Sequence, residues 1–590
     1  MKPTDINDPN YFHKVVDCQW ACPAHTPVPE YIRLIAEKRY TDAYMINWYS
    51  NVFPGILGRT CDRPCEPTCR RGRIDEQPVA ICRLKRVAAD YKSDISQRLP
   101  SIPKKKNGKH IALIGAGPAA LTVAADLLPL GYEITLFEKD GVAGGAMRTQ
   151  IPRFRLPVEV LEEELSYVID LGINCRFGEE ITSMRDLLAE GFDAIFVGTG
   201  APLGKHVELP GFEEARDNIH TGIEWLANIA FEHVSSIGKK VLVLGGGNTA
   251  MDCCRTSRRI GGEEVTVVVR SGFDEMKASA WEIEDAMNED IPILNFHVPK
   301  RYICEDGKLV AMEFEKVRKE YDKNGKRLLI PTGEDPVILP CDDVLCAIGQ
   351  ENSLPWVEHD LGIEFDKSEL PILNKRTFQS THERVFFGGD AAFGPDNIIS
   401  AVAHGHDVAV SIHLSCNEQD INNRPDPITS LASQKMGIHQ WSYDNDISND
   451  VRYIVPHAEK AKTLHDVNME VELGFDEALA LKETMRCLNC DVQTVFTDQL
   501  CIECDACVDV CPTDCITFTA NGKESDLRSA LLAPAKNQDQ DIYVSGPLNT
   551  GRVMAKNEDL CLHCGLCAER CPTNAWDMRK YLFDTAKASA

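Results

Sequence analysis

The chain has no run of about 18 apolar residues, so no membrane-spanning helix is expected. Its opening, Met1-Lys-Pro-Thr-Asp-Ile-Asn-Asp, lacks the apolar stretch that directs export, so a cytoplasmic location is expected. Positive charge is scarce. Lys and Arg number 63 against 90 Asp and Glu, a net charge of −27. That balance disfavours nucleic acid, whose binding rests on cations that neutralise phosphates. Hydrophobic residues make up 43% of 590, enough for several cores and for about three to five domains. Cysteine, by contrast, is abundant. Twenty-four of them without an export signal argue against a disulfide scaffold and for metal in a reducing compartment.

The spacing of the last cysteines carries the chemistry. Cys501, Cys504, Cys507 and Cys511-Pro512 form one C-x2-C-x2-C-x3-C-P run, and Cys561, Cys564, Cys567 and Cys571-Pro572 form a second. This is the bacterial two-cluster ferredoxin pattern. Three close thiolates take three corners of a cubane, and the fourth cysteine ligates the other cluster. Cys501, Cys504, Cys507 and Cys571 are therefore expected on one [4Fe–4S] cluster, and Cys561, Cys564, Cys567 and Cys511 on the other. Structural zinc is the alternative; the duplicated run with its prolines weighs against it.

Two dinucleotide folds precede this tail. Ile111–Ile114 reads as a strand that enters Gly115-Ala-Gly117-Pro118-Ala119-Ala120 and then a helical pattern; a second strand ends in Glu138-Lys139. Gly115 permits the tight turn, Gly117 lets backbone approach a pyrophosphate, and Ala120 allows close helix–strand packing. Glu138 is placed to accept ribose hydroxyls. The pattern repeats at Lys239–Leu244, Gly245-Gly-Gly247-Asn248-Thr249-Ala250-Met-Asp252 and the strand Glu264–Val269. That strand ends at Arg270-Ser271 rather than in an acid, so Arg270 is a candidate for a 2′-phosphate or for stacking on adenine, with a surface arginine as the plain alternative. NADP(H) or NAD(H) stays open. Cys253 and Cys254 lack C-x-x-C spacing and read as packing.

Gly144-Gly145 and the later Phe387-Gly388-Gly389-Asp390 resemble the two-dinucleotide-binding-domain flavoproteins. The resemblance implies that the first site takes FAD, that Gly389 and Asp390 meet its ribityl chain, that Ile399 lies beside it, and that Thr199-Gly200 is the mid-domain strand-end turn. The first hundred residues hold Cys18-x3-Cys22-Pro23, then Cys61-x3-Cys65-x3-Cys69, then Cys82. With Ile151-Pro-Arg-Phe-Arg155, which in relatives lies beside the flavin, residues 15 to 415 resemble the shared portion of three enzymes. These are the glutamate synthase small subunit, the N-terminal half of dihydropyrimidine dehydrogenase and the NADH-dependent ferredoxin:NADP oxidoreductase large subunit. Relatives open with an extra C-x-x-C that is missing before Cys18; Cys487-Leu-Asn-Cys490 looks like it, displaced beyond the flavin domain. The resemblance implies one cluster on Cys18, Cys69, Cys487 and Cys490 and another on Cys22, Cys61, Cys65 and Cys82. In the latter, Cys82 replaces a Gln or Glu found in relatives at the place of Lys85. A zinc hairpin or a free thiol pair is the alternative for Cys487 and Cys490. The remaining cysteines, Cys515 among them, read as packing.

The expected architecture is multidomain: a helical N-terminal iron–sulfur domain (1–105), an α/β Rossmann-like FAD domain (106–220 and 355–415), an inserted Rossmann-like NAD(P) domain (221–354), a linker and helix (416–485), and a C-terminal α+β ferredoxin-like domain (486–590). The linker reads as a surface excursion and the stretch Asn537–Asp541 as an inserted loop. The expected function is an FAD and iron–sulfur oxidoreductase passing electrons between NAD(P)H and ferredoxin or a partner enzyme. It would be the electron-transfer subunit of a hetero-oligomer such as a 2-oxoacid, aldehyde or aromatic acyl-CoA oxidoreductase. No acid–base side chain is required and none is assigned. A glutamate synthase small subunit and a non-catalytic wiring subunit are the alternatives.

Overall fold

The computed structural model describes residues 1–437, 440–441 and 447–588; the parts of the 416–485 linker at 438–439 and 442–446 lie outside the described residues. The flavin-type domain is a five-stranded parallel sheet in the order Val385–Phe387, Ala194–Val197, His110–Ile114, Glu133–Glu138, Asn174–Phe177. Residues Ile111, Ala112, Leu113 and Ile114 are all buried, as a strand covered on both faces demands. The chain leaves this strand at Gly115, where φ is +93° and an added Cβ would lie 2.7 Å from the Gly198 carbonyl oxygen; only glycine fits. Pro118 then starts the helix Pro118–Leu127, where its missing N–H costs nothing.

The second parallel sheet repeats this plan in the order Ile219–Thr221, Asp343–Cys346, Lys240–Leu244, Glu264–Val268, Ile293–Leu294. Gly245, at φ +137°, has no room for a Cβ against the Ala347 carbonyl. The two crossings between domains pair with each other, Leu203–Gly204 against Gln350–Glu351. One feature is absent from the sequence reading. Between the last strands, His297–Glu305, Lys308–Tyr321, Arg327–Pro331 and Val337–Pro340 form an antiparallel sheet. Its strands alternate only partly between buried and exposed positions, which blurs the period that would reveal them.

The head is helical: Val28–Ala36, Tyr40–Asn51, Pro54–Thr60 and Ile81–Asp90 enclose its cysteines. The tail contains two antiparallel three-stranded sheets, Ile428–Ser433 with Trp576–Asp584 and Val492–Phe496, and Ile516–Ala520 with Arg552–Asn557 and Ile542–Val544. The expected surface excursion thus contributes a strand. Ile428–Ser433 occupies the second edge of the long Trp576–Asp584 strand and covers it. The insert between the cysteine runs folds back on the head: Thr4 donates its N–H to the Val544 carbonyl at 2.8 Å, and the Gln540 amide donates to the Lys14 carbonyl at 3.0 Å. Head and tail share one buried core that joins Phe12, Tyr31 and Cys18 to Val495, Trp576 and Met578. Among the described residues no helix is long and apolar enough to cross a membrane.

Candidate dinucleotide and cluster sites

The first glycine turn has the shape of a nucleotide cradle. A Cβ on Gly117 would meet nothing nearer than 4.0 Å, so open space lies over the N-terminus of Pro118–Leu127, where backbone N–H groups and the helix dipole favour an anion. Ala119 and Ala120 are buried behind it. Gly145, at φ +50°, closes against Gly117, with 3.0 Å between its would-be Cβ and the Gly117 Cα, and Gly144 donates its N–H to the Ala116 carbonyl. Glu138 ends its strand where expected. One carboxylate oxygen accepts from the Ala116 N–H at 2.7 Å and the other from Asp140 N–H at 3.1 Å, while burial raises its pKa. Its neighbour Lys139 is exposed. Thr199 has a buried hydroxyl with no partner among the described residues, a group an FAD hydroxyl or phosphate fits. Gly200 follows it at φ +71°. Gly389, at φ +59°, packs on Ala119, and the Asp390 carboxylate, pushed up to about 6 by burial, accepts the Asp396 N–H at 3.1 Å. Ile399 is buried in the first turn of the helix that follows. These residues lie at the C-terminal ends of four neighbouring strands of the sheet, and they fit FAD.

The second turn is equally open, with nothing within 4 Å of a Cβ on Gly247. Asn248 accepts from the Ser279 N–H at 2.9 Å and donates to Asp62 at 3.1 Å, tying the turn to the Cys61 loop of the head. Thr249 is half-buried beside it. Asp252 and Arg155 are spent on one another at 2.7 Å, and Arg155 also reaches Glu282 at 2.5 Å. Whatever they do for a nucleotide, they do as a joint between domains. Arg270 is exposed past the strand end and makes no ion pair or side-chain hydrogen bond among the described residues.

The sixteen metal candidates fall into four groups. Cys18, Cys69, Cys487 and Cys490 line one small cavity with Asp17 and Arg70. Cys501, Cys504, Cys507 and Cys571 line another, and Cys511, Cys561, Cys564 and Cys567 a third. In the fourth group the Cys82 thiol hydrogen-bonds with those of Cys61 and Cys65. The buried Lys85 ammonium is held charged by Cys82, Cys61, Cys22 and Cys65 against the pull of burial. Thiols packed this way repel as thiolates, and burial raises Cys18, Cys490 and Cys567 well above the usual range. An iron–sulfur cubane removes that conflict by binding all four as thiolates.

Some of the surroundings escaped the sequence reading. Cys515, read there as packing, is a fifth thiol on the Cys561 cavity wall, 3.4 Å from the Cys511 sulfur. The signal was available: Cys511-Pro-Thr-Asp-Cys515 differs from Cys571-Pro-Thr-Asn-Ala575 at that place. His563, between two ligand candidates, is buried with both ring nitrogens unpartnered among the described residues. Arg70 gave no signal, because its partners are distant in sequence.

Family comparison agrees with this layout. Residues 109–405 match the pyridine nucleotide-disulphide oxidoreductase family, residues 12–97 the 4Fe-4S cluster domain II of dihydropyrimidine dehydrogenase, and residues 500–575 the 4Fe-4S dicluster domain. The chain is 33% identical to the NADP(+)-dependent formate dehydrogenase subunit beta of Moorella thermoacetica, covering 80% of this chain and 70% of that one. It is 30% identical to the NADPH-Fe(3+) oxidoreductase subunit beta of Geobacter sulfurreducens, over 82% and 77%. The glutamate synthase [NADPH] small chain of Halomonas elongata is 32% identical over 67% of this chain and 87% of its own length. The chain therefore belongs to the pyridine nucleotide-disulphide oxidoreductase family, as an NAD(P)H-dependent FAD and iron–sulfur oxidoreductase with a ferredoxin domain at its C-terminal end.

Proposed function

We propose that this chain is the electron-transfer subunit of a larger cytoplasmic redox complex, linking NADPH to a partner's one-electron chemistry through FAD and four [4Fe–4S] clusters. One observation carries the reading: sixteen cysteines from distant parts of the sequence gather into four groups of four. When bound, FAD takes a hydride from the nicotinamide and gives up its electrons singly to clusters that carry one each.

The chain's own part is placement. Gly117 and Gly247 leave room for two pyrophosphates, Glu138 and Asp390 offer carboxylates to FAD hydroxyls, and Arg270 offers a free cation to the 2′-phosphate. The names of the Moorella and Geobacter relatives, both NADP-linked beta subunits, favour NADPH over NADH. They also favour a partner that handles one-carbon or metal-ion substrates, alongside the 2-oxoacid, aldehyde and acyl-CoA classes. The glutamate synthase reading is the weaker, since the match with that small chain covers only 67% of this one.

Anaerobic purification followed by metal and flavin analysis tests the proposal: about sixteen irons per FAD are expected. NADPH should bleach the flavin at lower concentration than NADH, and Arg270→Ala should narrow that gap. A chain holding about eight irons, or a flavin that neither nucleotide bleaches, sinks the reading.

A further inference from the structure

The two thiol cavities of the tail differ in what surrounds them. The Cys501 loop makes its polar contacts inside the tail, Glu503 with Thr550 and Arg552, and Asp505 with Arg552. It lies open to solvent: Cys504 is exposed, and Leu500 and Ile502 are 47% and 60% exposed. The Cys561 loop is less open, with Cys561 and His563 buried although Leu566 is 40% exposed, and it faces the head. Tyr11 donates its hydroxyl to Glu558 at 2.6 Å, and Arg73 donates to the Asp559 carbonyl.

Arg70 sits at the centre of that seam. It is fully buried and belongs to the wall of the Cys18–Cys69–Cys487–Cys490 cavity. Its Nη1 donates at 2.6 Å to the carbonyl of Cys561 and at 2.6 Å to that of Glu558, and its Nε donates to Asp17. Nη2 is equally buried and finds no acceptor among the described residues. One carboxylate is thin compensation for a buried guanidinium with an idle donor. The Cys490 and Cys561 sites lie on either side of it, and thiolates held there by a metal cluster would supply what is missing. One side chain thus touches the wall of one thiol site and the backbone of a ligand candidate in the next.

We infer that Arg70 is the positioning residue that couples head to tail. It seats the Cys561 loop against the Cys18–Cys490 site, making the Cys561 site the inner member of the tail and the Cys501 site the one that meets a one-electron redox protein. The inference rests on the reading above that these thiols hold clusters. Each passage between sites moves one electron and neither makes nor breaks a bond, so separation and orientation are what a positioning residue controls.

Two measurements on the anaerobic full chain test this. In the first, a soluble dysprosium chelate is added to the dithionite-reduced protein, and EPR relaxation is followed. The chelate should act more on the signal that disappears in Cys504→Ala than on the one that disappears in Cys564→Ala; the reverse order overturns the inference. In the second, Arg70→Met should keep its iron and flavin. It should weaken the magnetic interaction between head and tail clusters and slow NADPH-driven reduction of the tail by about tenfold, within the roughly hundredfold that a 1 Å misplacement can cost. Arg70→Lys should restore part of both. Full iron with unchanged coupling and rate in Arg70→Met overturns the inference. If Arg70→Met does not fold, the chelate measurement on the unaltered chain decides. Fewer than four clusters in the unaltered chain would instead defeat the proposed function.

Discussion

Arg155 in the flavin domain and Asp252 in the nucleotide domain form a bidentate ion pair, with Nη1 2.7 Å and 2.8 Å from the two carboxylate oxygens. Asp252 is buried and Arg155 half-buried, and Arg155 reaches Glu282 as well. Burial lifts the Asp252 pKa to about 6 while the guanidinium pulls it down. The pair joins the residues after the Gly144–Gly145 loop to the helix Asn248–Arg259, so it fixes how the two glycine turns face each other. Arg155→Met leaves the buried Asp252 without its ion-pair partner, while Glu282 keeps Arg255 at 3.4 Å, and should cost about 3–5 kcal/mol of nucleotide-domain stability in urea unfolding. The double change Arg155→Met with Asp252→Leu should recover part of that loss. An undiminished unfolding midpoint in the single variant would show that the pair does not hold the joint.

Cys82 is the ligand candidate that departs from the family pattern, and its thiol touches those of Cys61 and Cys65. Cys82→Ala should release about four irons and one EPR signal, and Cys490→Ser should release a different four. Each variant should leave the other signals in place. Retention of all the iron in Cys82→Ala would make Lys85 or Glu66, both beside this group, the residue to examine next.

What the sequence discloses here depends on how local the constraint is. The glycine turns and the C-x2-C-x2-C-x3-C-P runs impose their chemistry within a dozen residues, so composition and order reveal them. Cys487 and Cys490 were legible through likeness to a displaced motif. Arg70 and Asp17 are 53 residues apart and Arg70 and Cys561 are 491 apart, and only folding brings them together. The strand Ile428–Ser433 is mostly exposed and polar, so it lacks the apolar alternation that marks a strand; its register comes from the neighbour it covers.

Cys515 tests how finely the tail is tuned. Ala575 occupies the equivalent place in the other run, so Cys515→Ala should keep its full iron. The buried thiol lies against Cys511 and Cys561, where an S–H can donate to cluster sulfur. Donors to the sulfurs favour the reduced, more negative state. Removing this one should move the reduction potential of that site to more negative values by about tens of millivolts in an EPR-monitored titration. A positive shift would mean that the thiol acts as an electron-rich neighbour rather than a donor.

Glu164 makes the head-to-flavin joint sensitive to pH. Its carboxylate accepts the N–H groups of Gly55 at 2.6 Å and Ile56 at 2.9 Å, capping the helix Pro54–Thr60, and the Tyr44 hydroxyl at 2.9 Å. Burial nevertheless pushes its pKa up to about 7 from 4.5, the donors only moderating the rise. A raised carboxyl pKa means that the folded chain binds the proton more readily than the unfolded chain. Its stabilising contribution is therefore complete below pH 4.5 and is lost as pH rises through about 7. Across that window the joint should weaken by about 3 kcal/mol, since each tenfold gain in proton affinity is worth about 1.4 kcal/mol. Glu164→Gln cannot ionise and should flatten the dependence, at the cost of one mismatched amide hydrogen among the backbone donors. Urea midpoints of the intact chain at pH 5.5 and pH 8 decide the matter: a variant that keeps the full wild-type slope would place the titration elsewhere.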